Sequence, residues 1–135
     1  MAKVYLNETL VGVGEVDSVP AGTSSFSGAT TEVIPVTLVA PTAASPGDIL
    51  SLLVMVRNAC SGSSQTSGKA RLWYDGRDAS SRVSATIGSA ALDYFLRRRL
   101  QLATTGGTSR TYVEAPVGAP CATLYQLGDW AISLP

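Results

Sequence analysis

Apolar residues in this chain come in short alternating runs, broken roughly every 8–12 residues by clusters of Gly, Pro, Ser and Asp, and that spacing confines it to short strands joined by turns. Glu32-Val33-Ile34-Pro35-Val36-Thr37-Leu38-Val39 alternates and is rich in β-branched residues. Pro35 has no N–H to give a ladder, so this run is expected at a sheet edge. Ser45-Pro46-Gly47-Asp48 reads as a turn, and residues 49–57 follow as a strand apolar on both faces, as a central strand would be. Residues 58–68 have no apolar periodicity and are expected to form an exposed, mobile loop. In the next run Ala70, Leu72 and Tyr74 point one way and Arg71 and Trp73 the other. Asp75-Gly76 then predicts a tight hairpin, with residues 82–87 as the returning strand.

Residues 89–103 fit two templates. With period two, Tyr94, Leu96, Leu100 and Leu102 share a face; with helical spacing, Leu92, Leu96 and Leu100 share one behind a Ser89 cap. The strand is the preferred reading. Residues 111–115 and 130–134 supply the last strands, and 116–128 is irregular or carries one short strand at 122–127. About seven short strands and no long helix indicate a two-sheet antiparallel sandwich, and 135 residues suffice for one core.

The sandwich is placed at 32–135, and residues 1–31 read as an N-terminal arm and linker. A hairpin-like piece, Val4-Tyr5-Leu6 and Leu10-Val11-Gly12-Val13-Gly14, precedes a stretch rich in Gly, Ser, Thr and Pro. Apolar residues on an arm have little of their own domain to cover them. Val4, Tyr5, Leu6, Leu10 and Val11 are therefore candidate partner-interface residues, able to fold back or to add a strand to an exposed edge.

Lysine plus arginine equals aspartate plus glutamate, ten of each, so the chain has no net field to hold nucleic acid or an anionic membrane. Only 15% of residues are charged, against roughly 25% in soluble domains, which leaves a neutral surface suited to life inside an assembly. The first residues carry no secretory pattern, and the longest apolar run is far shorter than a membrane helix needs.

There is no histidine, which removes the usual general base and zinc ligand together. The acids Asp75, Asp78, Asp93, Glu114 and Asp129 fall at expected turns or strand ends, where solvation and turn formation explain them. Gly12 and Gly14 lack the third glycine, helix and lysine of a phosphate cradle. Cys60 and Cys121 have no zinc-site spacing, and whether they pair is open. No catalytic residue, metal or cofactor is expected. Arg97-Arg98-Arg99 is the one local charge cluster; Arg97 and Arg99 share a strand face and suit an inter-subunit salt bridge. Trp73, Tyr74 and Trp130 suit either core packing or a sugar-stacking platform.

The segment Pro46-Gly47-Asp48-Ile49-Leu50-Ser51-Leu52-Leu53-Val54-Met55-Val56-Arg57-Asn58 resembles the second strand of immunoglobulin-like modules of the CARDB type. Residues 70–77 are similar to the next strand and turn of such modules, and 128–134 to a terminal strand. The resemblance covers about 100 residues and implies an immunoglobulin-like fold without catalytic residues. Single modules of this kind with an arm look like virion components of tailed phages, above all capsid decoration or cement proteins. The expected partners are thus a major capsid protein or other virion subunits, with the chain as a homo-oligomer or as lattice-bound copies. A tail- or fibre-associated adaptor and a carbohydrate-binding module are the alternatives.

Overall fold

In the computed structural model the described residues are 1–20, 22–58, 67–97, 100–102, 108–118 and 122–135. The fold is all-β and antiparallel, with a single 3₁₀ turn at Phe26–Gly28 among the described residues. The expected mobile loop at 58–68 lies largely outside the described residues, as do Cys60 and Cys121.

Strands β1 (Ala2–Leu6) and β2 (Thr9–Gly14) form a hairpin whose two-residue turn, Asn7-Glu8, has positive φ at both positions, 46° and 68°. That is the mirror-image turn whose twist suits a right-handed ribbon. The hairpin is no arm. β1 pairs along its whole length with β4 (Ile49–Val56), and the sheet continues on either side to β10 (Tyr125–Ser133) and β3 (Thr37–Leu38), in the order β10-β4-β1-β2-β3. The expected division at 31/32 therefore does not exist as a packing boundary: Ala2, Val4, Leu6 and Val11 lie in the same core as Leu50, Leu52, Tyr94, Leu96, Trp130 and Leu134. Alternation along β1 explains the face. Ala2, Val4 and Leu6 are buried, whereas Lys3 and Tyr5 are only half-buried on the other side.

The second layer holds a two-stranded ribbon, β5 (Ser67–Gly76) with β9 (Thr108–Gly118), and a three-stranded sheet of β6 (Arg82–Ile87), β7 (Ala90–Leu96) and β8 (Leu100–Leu102). Within residues 89–103 the chain is extended as expected where it is described, but as two strands and not one: the chain reverses after Leu96, and β8 returns antiparallel along β7 with Leu96 opposite Leu100 and Tyr94 opposite Leu102. Gly88, at φ 64°, opens the two-residue turn between β6 and β7. The Asp75-Gly76 hairpin does not form. Asp75, at φ 64°, is a bulge in β5 opposite β9, and β6 pairs with β7 instead of returning along β5. The backbone geometry foreseen for Asp75 is present, but it bends a long strand where a chain reversal was expected.

Trp130 ties the layers together. It is 5% exposed, its Nε1 donates to the Arg97 carbonyl at 2.9 Å, and its ring meets Tyr74 edge-on at 5.7 Å. Gly128 lies directly under the indole: a Cβ there would sit 2.6 Å from Cη2 and 3.0 Å from Cζ3. Gly12 and Gly14 have a similar reason to be glycine, since Val36 Cγ1 and the Pro35 carbonyl oxygen would stand 2.6 Å and 2.3 Å from their Cβ positions. The Gly-x-Gly pattern is thus a place where two backbones approach closely.

The Ser45-Pro46-Gly47-Asp48 turn forms as expected, with Gly47 at φ 91° and Asp48 N–H donating to the Ser45 carbonyl at 3.1 Å. It locks three chain segments at one end of the sheet. Asp48 accepts from Asn7 Nδ2 and from the Ser45 N–H, each at 2.7 Å, while Asn7 Oδ1 accepts from the Ile49 N–H at 2.8 Å. Gly47 N–H and Leu134 N–H bond across to the Leu134 and Asp48 carbonyls at 2.9 and 2.7 Å.

Two expectations follow. Gly128→Ala should destabilise by about 1–3 kcal/mol, because the indole is enclosed and has nowhere to move; an unchanged urea midpoint would show that Trp130 has slack. The Asn7 amide, then the Ser45 N–H, hold the Asp48 carboxyl below the ordinary aspartate pKa. A depressed native pKa contributes stability above the unfolded value, and that stability is lost as pH falls through the native one. Asp48→Ala should accordingly lower the melting temperature at neutral pH and flatten its fall below about pH 4, and parallel curves for variant and parent would refute the link.

Candidate functional site

The candidate interface residues of the first hairpin are neighbours, but they do not form one exposed surface. Val4, Leu6 and Val11 are core residues, 9%, 9% and 7% exposed. They were misread because β4, which covers one flank of β1, lies more than forty residues further along the chain. Tyr5 and Leu10 are cross-strand partners and only half-buried. Arg97 belongs to the other layer, with its Nε 3.7 Å from Asp75 Oδ1 and its carbonyl on Trp130. Arg98 and Arg99 lie outside the described residues.

Four of the acids singled out in the sequence, Asp75, Asp78, Asp93 and Glu114, are held in separate ion pairs. Asp78 meets Arg110 at 2.7 Å, Asp93 accepts from Ser84 Oγ at 2.5 Å with Arg82 3.8 Å away, and Glu114 holds Arg71 at 2.5 Å and Lys69 at 3.1 Å. Arg71, then Lys69, draw the Glu114 carboxyl below its usual range. Among the described residues no three His, Cys, Asp or Glu side chains are grouped to hold a metal ion, and no helix is long and apolar enough to cross a membrane.

Two surfaces stand out among the described residues. One is the outer face of the β5–β9 ribbon, where alternation places Arg71 and Trp73 as foreseen. Trp73 lies between Tyr112 and Phe26, with ring centroids 4.7 and 5.6 Å away and interplanar angles of 54° and 71°. Arg71 covers Tyr112 at 4.7 Å, and Arg110 covers Phe26 at 4.2 Å. Arg71 also donates to the Ser24 carbonyl, so the linker is pinned across this face. The tilted rings make no flat platform for a sugar, and Trp130 is in the core.

The other surface is the edge formed by β3. Val33, Leu38 and Val39 are 76%, 58% and 63% exposed, whereas Ile34 and Val36 turn inward onto the core. The Val39 N–H donates to Val11 at 2.9 Å, so by alternation the backbone groups of Leu38 point away from β2 to the open side. Pro35 falls where the next N–H toward β2 would be needed, which is why the ladder stops after two residues. Edge strands are ordinarily guarded by charge, lysine above all. Between Glu32 and Asp48 this chain has none. Alternation and Pro35 identify this edge in the sequence, and the absence of charge along residues 33–47 is a further signal of the same stretch.

The chain matches no protein-family model, no curated protein and no solved structure.

Phe26→Ala should release the linker from the ribbon. Losing one ring pair and one cation–π contact removes about 1–2 kcal/mol of local docking, or roughly 5–30-fold in the open population. Limited proteolysis should therefore cut within residues 15–30 faster in the variant, with global stability nearly kept. Equal cleavage rates would mean that the ring contacts do not hold the linker.

Proposed function

We propose that this chain is a non-enzymatic structural module, an immunoglobulin-like sandwich that binds other protein subunits of a virion shell in the manner of a capsid decoration or cement protein. Its binding element is the sheet edge at residues 33–39. The observation that carries the reading is that edge: exposed Val33, Leu38 and Val39 beside outward-pointing backbone groups, in a stretch without charge. A strand added there would satisfy those groups and cover the apolar side chains in one step.

Zero net charge and a low charged fraction support the same reading, since a free monomer with an unguarded edge and no colloidal repulsion is prone to associate. On a symmetric lattice, modest edge contacts repeated over many copies sum to firm attachment. A tail- or fibre-associated adaptor would use the same edge. The sugar-binding reading loses its support with the tilt of Trp73 and the burial of Trp130.

Leu38→Lys combined with Val39→Lys places two charges on the edge without touching the core. In sedimentation with tailed-phage shells stripped of their decoration protein, the double variant should bind at least about tenfold more weakly than the parent, while Tyr5→Ala binds normally. Equal binding by the parent and the double variant, or none by the parent, would overturn the proposal.

A further inference from the structure

The five-stranded sheet has an inner face on the core and an outer face turned away from it. Along β4 the inward side chains Leu50 and Leu52 are core residues, while Leu53 and Met55 point outward by alternation. Pairing carries the same outer face across the sheet, with Tyr5 beside Ser51, Leu10 beside Tyr5 and Val13 beside Lys3. Tyr5, Leu10, Val13, Leu53 and Met55 belong neither to the core nor to the partly buried apolar side chains packed against it. Ile49, on this face too, is 42% exposed. A sheet with one wet face ordinarily turns polar residues outward, whereas strands apolar on both sides belong to sheets covered on both sides. The outer face therefore has the composition of a covered one.

The charges on it select the cover. Among the outward positions of the paired strands only Lys3 and Asp129 are charged. Both are paired with Leu53, Lys3 from β1 and Asp129 from β10, so they stand in one row on opposite sides of β4, about 10 Å apart. Neither is ion-paired to another described residue. A two-fold axis lying between two such sheets and running along β4 at Leu53 sets the Lys3 of each copy over the Asp129 of the other, with Leu53 against Leu53 between the two pairs. An axis at right angles to β4 sets like charges face to face. The face is thus complementary to itself in one orientation, as an isologous contact requires. Strands β10, β4, β1 and β2 offer about 500 Å² per copy at ordinary strand spacing, against about 800 Å² per partner in a standard interface. An area of that size suits a reversible dimer.

We propose that the outer face of the β10-β4-β1-β2 sheet binds a second copy of this chain, face to face, in a dimer registered by two Lys3–Asp129 pairs. This contact is separate from backbone pairing at the β3 edge, and either proposal can fail without the other.

Sedimentation equilibrium on the full chain tests it. The parent should show a monomer–dimer equilibrium below about 500 μM. Lys3→Asp, which meets a like charge twice, should dimerise at least about tenfold more weakly. Combining it with Asp129→Lys should bring affinity back to within about threefold of the parent, and an equimolar mixture of the two single variants should form heterodimers. Leu53→Lys should also weaken the dimer at least about tenfold; the exchange of exposed charges keeps the test decisive if that variant fails to fold. Leu38→Lys with Val39→Lys, on the β3 edge, should dimerise as the parent does. A parent still monomeric at about 500 μM, a Lys3→Asp variant that dimerises like the parent, a double exchange as weak as the single change, or a dimer lost only in the β3-edge variant would overturn the proposal.

Discussion

The fold depends on β1 lying between β2 and β4. That strand is paired on both sides, so its backbone groups are satisfied without water, and its inward side chains Ala2, Val4 and Leu6 face the middle of the core. Burial of Val4 and Leu6 at about 1.5–3 kcal/mol each is a large share of the net stability of a domain of this size. The pairing joins residues some fifty positions apart, and β4 in turn pairs with β10 near the other end of the sequence. Loop closure has to precede these contacts, which is the topology of a slow folder. The Asn7–Asp48–Ser45 cluster sits where β1 turns into β2 beside the entry to β4. Its side-chain bonds fix the register of that long-range pair, because a slip by one residue would remove both the Asn7 and the Asp48 contacts.

The second layer is held by a different device. β10 belongs to the five-stranded sheet, yet Trp130 projects from it to meet Tyr74 of β5 and the carbonyl of Arg97 beyond β7. One residue thus contacts both pieces of the opposite layer. The indole is accommodated only because Gly128 gives it space, so glycine and tryptophan form a matched pair two positions apart on one strand. Arg97, read from the sequence as a group for a neighbouring subunit, has its main chain committed to this contact inside the molecule.

Much of this was legible in local sequence. The Pro46-Gly47 turn, the alternation of Arg71 and Trp73 against Leu72 and Tyr74, the edge character conferred by Pro35 and the strand through Tyr94 all follow from steric rules acting over a few residues. What local rules do not contain is pairing. Val4 and Leu6 look unpartnered when only their neighbours in sequence are considered, because their flank is supplied by Leu50 and Leu52. Asp75-Gly76 supplies the positive φ of a hairpin, but β5 continues along β9, and the same dihedral then makes a bulge. The candidate interface moves for the same reason: once the first hairpin is seen to be core, the most exposed large apolar side chains among the described residues are Val33, Leu38 and Val39, all within residues 33–39.

That relocation gives the edge its physical logic. Pro35 interrupts the ladder to β2 while Ile34 and Val36 anchor the segment through the space left by Gly12 and Gly14, so the strand is held by packing more than by hydrogen bonds. A strand held by its inward side chains keeps its outward backbone groups in a fixed, extended geometry, already shaped to accept a partner. Guarding such an edge with lysine would have cost the sheet nothing, since Val33 and Val39 are solvent-facing. Its uncharged character is therefore not a requirement of the fold. It is the feature on which the proposed binding of another protein rests.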